Sequence, residues 1–116
     1  MEQKQCFESL VNDFMLNAND VLLKKNATYE SEEDVFANFT DGANITGMTP
    51  EQTAFSYQAK HLASFKNMIM HNDFSDFKDF EEKCTDIVNY VAIIYAMVVM
   101  RGKDVVIDED EGQAEA

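Results

Sequence analysis

Apolar residues recur every three or four positions along most of this chain. In the first stretch they are Phe7, Leu10, Val11, Phe14, Ala18, Val21 and Leu22, a spacing that predicts a helix over about residues 2–24 with one apolar face. Lys24 and Lys25 at its end suit the negative pole of the helix dipole, and residues 26–30 read as a short loop. Ser31, followed by Glu32, Glu33 and Asp34, has the composition of an N-terminal cap. It opens a second helix that buries Val35, Phe36, Phe39 and Ala43 and stops near Gly47. Thr49-Pro50-Glu51-Gln52 is the clearest boundary in the chain: Thr49 caps, Pro50 takes the first helical position, and Gln52 closes a capping box. A third helix then runs to about His71 through Phe55, Ala59, Leu62, Phe65 and Ile69. Asn72-Asp73-Phe74-Ser75 breaks it, and a fourth runs from about Asp76 to Arg101, with Gly102 as its stop. No strand-like alternation lasts more than a few residues. The pattern predicts an all-α protein, a compact bundle of about four helices. Residues 1–102 form its single domain and 103–116 a disordered acidic tail.

The fourth helix is nearly all apolar from Ile87 to Met100, with a polar stripe at its start made of Glu82, Asp86 and Asn89. Spacings of four and three put these side chains on one face. So apolar a helix is expected to be buried, and its stripe with it, and a buried carboxylate needs a partner. Lys60 and His61 on the third helix are the expected ones. Four helices can cover only part of such a surface, which predicts at least a homodimer, with Ile93, Tyr95, Met97 and Met100 against the second copy.

At 116 residues the chain has room for one real core. The apolar run at 87–100 falls short of the roughly 20 residues a membrane span needs, and residues 1–5 do not resemble a secretory signal, so the expected location is cytoplasmic, without membrane contact. Cys6 and Cys84 fall on predicted apolar faces and read as buried reduced thiols. Three Asn-x-Thr triplets, beginning at Asn26, Asn38 and Asn44, read as coincidence in a cytoplasmic chain. The net charge is −13, of which the last fourteen residues contribute −5. An anionic surface repels phosphate backbones, which disfavours direct nucleic-acid binding.

Candidate chemistry gathers around the stripe. Glu82 and Asp86 could hold Mg²⁺ through their carboxylates, but cages of this kind normally take a third or fourth acid, so a salt bridge to Lys60, Lys78 or Lys83 is the somewhat better account of the pair. Asn89, a turn inside the apolar run, must find hydrogen-bond partners, either as a lock between helices or as a reader of a base or sugar edge. Lys24, Lys25, Lys60 and His61 are where a phosphate would go in a chain so short of positive charge, and Tyr29 offers an aromatic face. There is no Gly-rich phosphate loop, no G-x-S-x-G and no H-E-x-x-H. Catalysis is therefore the minority reading.

Lys25-Asn26…Tyr29, Asn38-Phe39, Gly47-x-Thr49-Pro50-Glu51-Gln52, Ala59-Lys60-His61 and Glu82-Lys83-x-x-Asp86-x-x-Asn89-Tyr90 appear in that order. Over residues 20–100 this order resembles a group of small, usually all-helical phage and prophage proteins described as nucleotide-modification-associated or of unknown function. The chain departs from their pattern at Glu30, where a small or turn-forming residue is expected after the tyrosine. The resemblance implies a phage-encoded protein in the host bacterial cytoplasm that handles a nucleotide. It would process the nucleotide or sequester it, for instance a nucleotide signal used in host immunity. The expected ligand residues are Lys24, Lys25, Tyr29, Lys60, His61, Glu82, Asp86 and Asn89, with Mg²⁺ or no cofactor. Two other readings fit the composition: an acidic, DNA-mimicking inhibitor of a host defence protein, and an assembly protein without a ligand.

Overall fold

The computed structural model describes residues 2–29 and 35–105, with side chains for 2–25 and 35–102. The described chain is four helices: α1 (Glu2–Tyr29), α2 (Ala37–Thr46), α3 (Pro50–Met70) and α4 (Phe77–Val105). The expected all-α bundle with a long apolar C-terminal helix is what the chain forms.

The ends of the helices follow local chemistry. α1 continues through 26–29, which were read as loop, because nothing in Asn26-Ala27-Thr28-Tyr29 is a strong helix breaker. The proposed cap at Ser31 lies outside the described residues. α2 starts without a side-chain cap, at Phe36, and ends at Gly47, whose φ of 81° is a left-handed conformation that favours glycine. The capping box at the start of α3 is complete. Thr49 Oγ1 accepts from the Gln52 amide at 3.1 Å, and Gln52 Oε1 accepts from the Thr49 amide at 3.0 Å. At the other end of α3, Asn72 takes the left-handed position with φ 51°, and the Asp73 and Asn72 amides donate to Met68 and Ile69 oxygens. That is a Schellman ending with Asn in place of Gly. Asp76 caps α4 by accepting from the Asp79 amide at 3.1 Å. Gly102 does not stop α4, which runs on to Val105 through the first residues of the expected disordered tail, the rest of which lies outside the described residues; a lone Gly costs a helix only about 1 kcal/mol.

α3 and α4 form an antiparallel pair. Glu51 meets Arg101 at one end, the Gln58 amide donates to the Ile87 carbonyl at 3.3 Å in the middle, and Phe65 stacks on Phe80 at 5.8 Å at the other end. Phe74 and Phe77 complete that aromatic cluster, at 5.0 and 6.2 Å from Phe80. α2 lies on α3, with Gly42 close against Tyr57 and Thr53. The core is Phe39, Ala54 and Met97, backed by Phe36, Tyr90, Ile93 and Ile94. Burying a side chain such as Phe39 stabilises by about 1.5–3 kcal/mol.

α4 is not buried all round, as its composition suggested. α3 and α1 cover one side, where Met97 is 4 % exposed, while Val91, Tyr95 and Val98 face outward. By length and composition alone, Phe77–Gly102 is long enough to cross a membrane, since the helix extends well beyond the apolar run at 87–100. α1 is only half engaged. Ala18 is buried and Phe14, Val21 and Leu22 are partly buried, but Phe7, Leu10 and Val11 on the same stripe are exposed. Cys6, read as buried, is exposed with them, whereas Cys84 is half-buried.

Candidate ligand-binding site

Where α1, α2, α3 and α4 converge they leave a cavity of about 320 Å³, lined by side chains from all four helices and by Val35. That lies at the lower end of the range for small-molecule pockets. Two of its walls are aromatic and polar respectively.

The aromatic wall is a ladder. Phe39 meets Tyr90 edge-on, with ring centroids 6.2 Å apart, and Tyr90 lies against His61 at 5.7 Å and 34°. Phe39 is held from behind by Tyr57 at 5.6 Å. Tilted and edge-to-face pairs of this kind are favourable for aromatic quadrupoles.

Asp86 is the hub of the polar wall. Its Oδ1 lies 3.5 Å from Lys25 Nζ and its Oδ2 lies 3.7 Å from His61 Nδ1. Lys25 is mostly in solvent, so its pair with Asp86 is screened and worth at most about 1 kcal/mol. His61 is different: its Nδ1 is enclosed and makes no hydrogen bond among the described residues, and 3.7 Å is too long to count as one. An enclosed ring nitrogen in that state costs free energy until it meets a donor or acceptor.

Asn89 sits deepest. It is 9 % exposed, and its Nδ2 donates to the Ala18 carbonyl at 3.0 Å. The bond ties α4 to α1, so Asn89 does the work of a lock between helices while also lining the cavity.

The structure brings together four of the eight expected ligand residues. Lys25, His61, Asp86 and Asn89 share the cavity; Lys60, Lys24 and Glu82 do not line it. The reason is helical geometry: adjacent residues point about 100° apart, so of Lys60-His61 and of Lys24-Lys25 only one member each can face inward. Lys60 is exposed. Lys83, one of the alternative partners weighed for the acids, pairs with Asp79 on its own helix at 3.2 Å. Glu82, Asp86 and Asn89 do share a face, but the face runs from solvent into the core. Glu82 at its outer end is exposed and borders a neighbouring hollow of about 390 Å³, shared with Lys25, Lys78, Glu81 and Asp86. The Tyr29 side chain lies outside the described ones. Among the described residues no group of three or more His, Cys, Asp or Glu is placed to share a metal ion.

The cavity is also lined by Leu22, Val35, Asn38, Phe39, Tyr90 and Ile93, none of which is expected from sequence to be a ligand residue. Tyr90, adjacent to Asn89, was the one with a local signal. The α2 residues gave none, because their place depends on how α2 docks on α3. No protein-family model matches this chain, and comparison with curated proteins and with solved structures likewise found nothing similar to it.

Proposed function

We propose that this chain is a binding protein for a nucleoside or a singly phosphorylated nucleotide. The observation that carries the reading is one cavity joining an aromatic wall, Phe39-Tyr90-His61, to the Lys25-Asp86 ion pair. A planar base suits the aromatic side, and Asn38 and Asn89 offer amides for its edge. Lys25 supplies one cation, matched to one phosphate. A triphosphate would meet the Asp86 carboxylate and the field of a chain carrying −13. The proposed role is to hold the ligand, since Asp86 is paired with Lys25 rather than set against a nucleophile.

The test is calorimetric titration with a panel of nucleosides, mononucleotides and cyclic nucleotides. It is run with and without Mg²⁺ because Glu82 and Asp86 border the same neighbouring hollow. One saturable site for a panel member is expected. Lys25→Ala should weaken phosphorylated ligands about five- to tenfold, the scale of a partly screened charge-assisted contact, and leave the matching nucleoside unaffected. No heat with any member, together with no nucleotide in the mass spectrum of the purified protein, would sink the proposal.

A further inference from the structure

Two apolar stripes remain uncovered in this fold, and both carry the four-three spacing of a helix seam. On α4 the stripe is Val91, Tyr95 and Val98, on the side away from buried Met97. On α1 it is Phe7 and Val11 with Leu10 beside them. The α1 stripe continues through Phe14 to Ala18, where it already packs on α4 within the chain. In its first turns Phe7, Leu10 and Val11 are exposed.

We infer that a second copy of this chain packs over both stripes, giving a dimer whose centre is α1 and α4 of each protomer. This rests on the uncovered faces alone and is independent of the ligand reading. Area supports a partner of this size. Val91, Tyr95 and Val98 are 56, 70 and 54 % exposed, and Phe7, Leu10 and Val11 are 64, 64 and 43 % exposed. Together that is about three and a half whole residues, or roughly 530–700 Å² of largely apolar surface at ~150–200 Å² each, the lower end of the range for large side chains because four of the six are aliphatic. Interface cores are about 65 % apolar, so such a patch implies roughly 800–1,100 Å² per partner. A stable dimer needs about 800 Å².

Charge points the same way. The chain carries −13, which opposes self-association, yet no Asp, Glu, Lys or Arg occurs from Ile87 to Met100. Two copies can meet along this stretch without bringing like charges together. The interface differs from the one expected from sequence: Met97 is in the core and Ile93 lines the cavity, so neither is available to a partner.

Sedimentation equilibrium of the full chain at ~1–100 µM tests the inference. The expected species is twice the 13.2 kDa monomer. Val91→Glu/Val98→Glu and, separately, Leu10→Glu should each weaken the dimer at least tenfold, the scale of losing a central interface residue. Their helical circular dichroism should be unchanged, because these side chains are exposed within one chain. If a Glu variant loses helicity, Leu10→Gln gives the same readout with a milder change. A wild-type monomer across the range would overturn the inference. So would variants that stay fully dimeric, or a monomer that floats with phosphatidylcholine vesicles, which would assign the stripes to lipid.

Discussion

Replacing Asn89 separates its two roles, the lock between helices and the edge of a ligand site. Asn89→Ala removes the hydrogen bond from Nδ2 to the Ala18 carbonyl, a 3.0 Å contact at a buried position. Such a bond contributes about 0.5–1.5 kcal/mol net. The added cavity cost is small, because Asn89 already borders open space. A loss of about 1–1.5 kcal/mol corresponds to a fall in Tm of roughly 4–10 °C for a domain of this size. Asn89→Leu restores the volume. It leaves the Ala18 carbonyl its bond within α1 and adds apolar contact, so its Tm should fall by less than half as much. Differential scanning calorimetry measures both, and hydrogen exchange adds a local readout: in Asn89→Ala, amides of residues 15–22 should exchange faster, since α1 is held mainly by α4. A Tm for Asn89→Ala within about 1 °C of wild type, with unchanged exchange in α1, would refute the lock. If Asn89→Leu stays stable yet binds no panel nucleotide, Asn89 also reads the ligand.

Three further outcomes follow from the packing and titration of other residues. Gly42→Ala should gain about 1 kcal/mol of helix propensity but lose more, because a Cβ there would lie 2.5 Å from the Tyr57 hydroxyl and 3.0 Å from the buried Thr53 Cγ2. Urea unfolding should show Gly42→Ala below wild type and Gly42→Ala/Tyr57→Phe partly restored; stabilisation by Gly42→Ala alone would contradict the close approach. The Asp73 carboxyl is held below its ordinary 3.8 by the Ser75 hydroxyl and amide, so its stabilising effect is present above about pH 3.8 and lost as pH falls through the lowered value. Ser75→Ala should raise that value in an NMR titration, and no movement would discount the hydroxyl. Burial pushes the Cys84 thiol above its ordinary range, whereas Cys6 is exposed, so at pH 8 a disulfide reagent should label Cys6 well before Cys84; equal rates would mean that α4 opens readily.

Local rules carried the element order. A capping box, an αL glycine at 47 and an Asn-Asp break are decided by residues within five positions of one another, and so are visible in the chain itself. The stripe of Glu82, Asp86 and Asn89 was legible for the same reason, because a helix repeats every 3.6 residues wherever it lies. Which member of Lys24-Lys25 or Lys60-His61 joins that stripe was not legible. Adjacent residues diverge by about 100° on a helix, and only the docking of α1 and α3 on α4 selects Lys25 and His61. The depth of burial was misjudged for a related reason. Hydrophobicity states what a helix would gain by being covered, but the number of neighbours that reach it is a property of the assembly. Within one chain only one side of α4 is covered, and Phe7, Leu10 and Val11 in the first turns of α1 are exposed. The sequence thus determined four helices, their boundaries to within a few residues and the polar face of the last one. The tertiary structure decided which side chains meet in a cavity and which apolar faces are left for something else, because both depend on the relative placement of helices that no local interaction encodes.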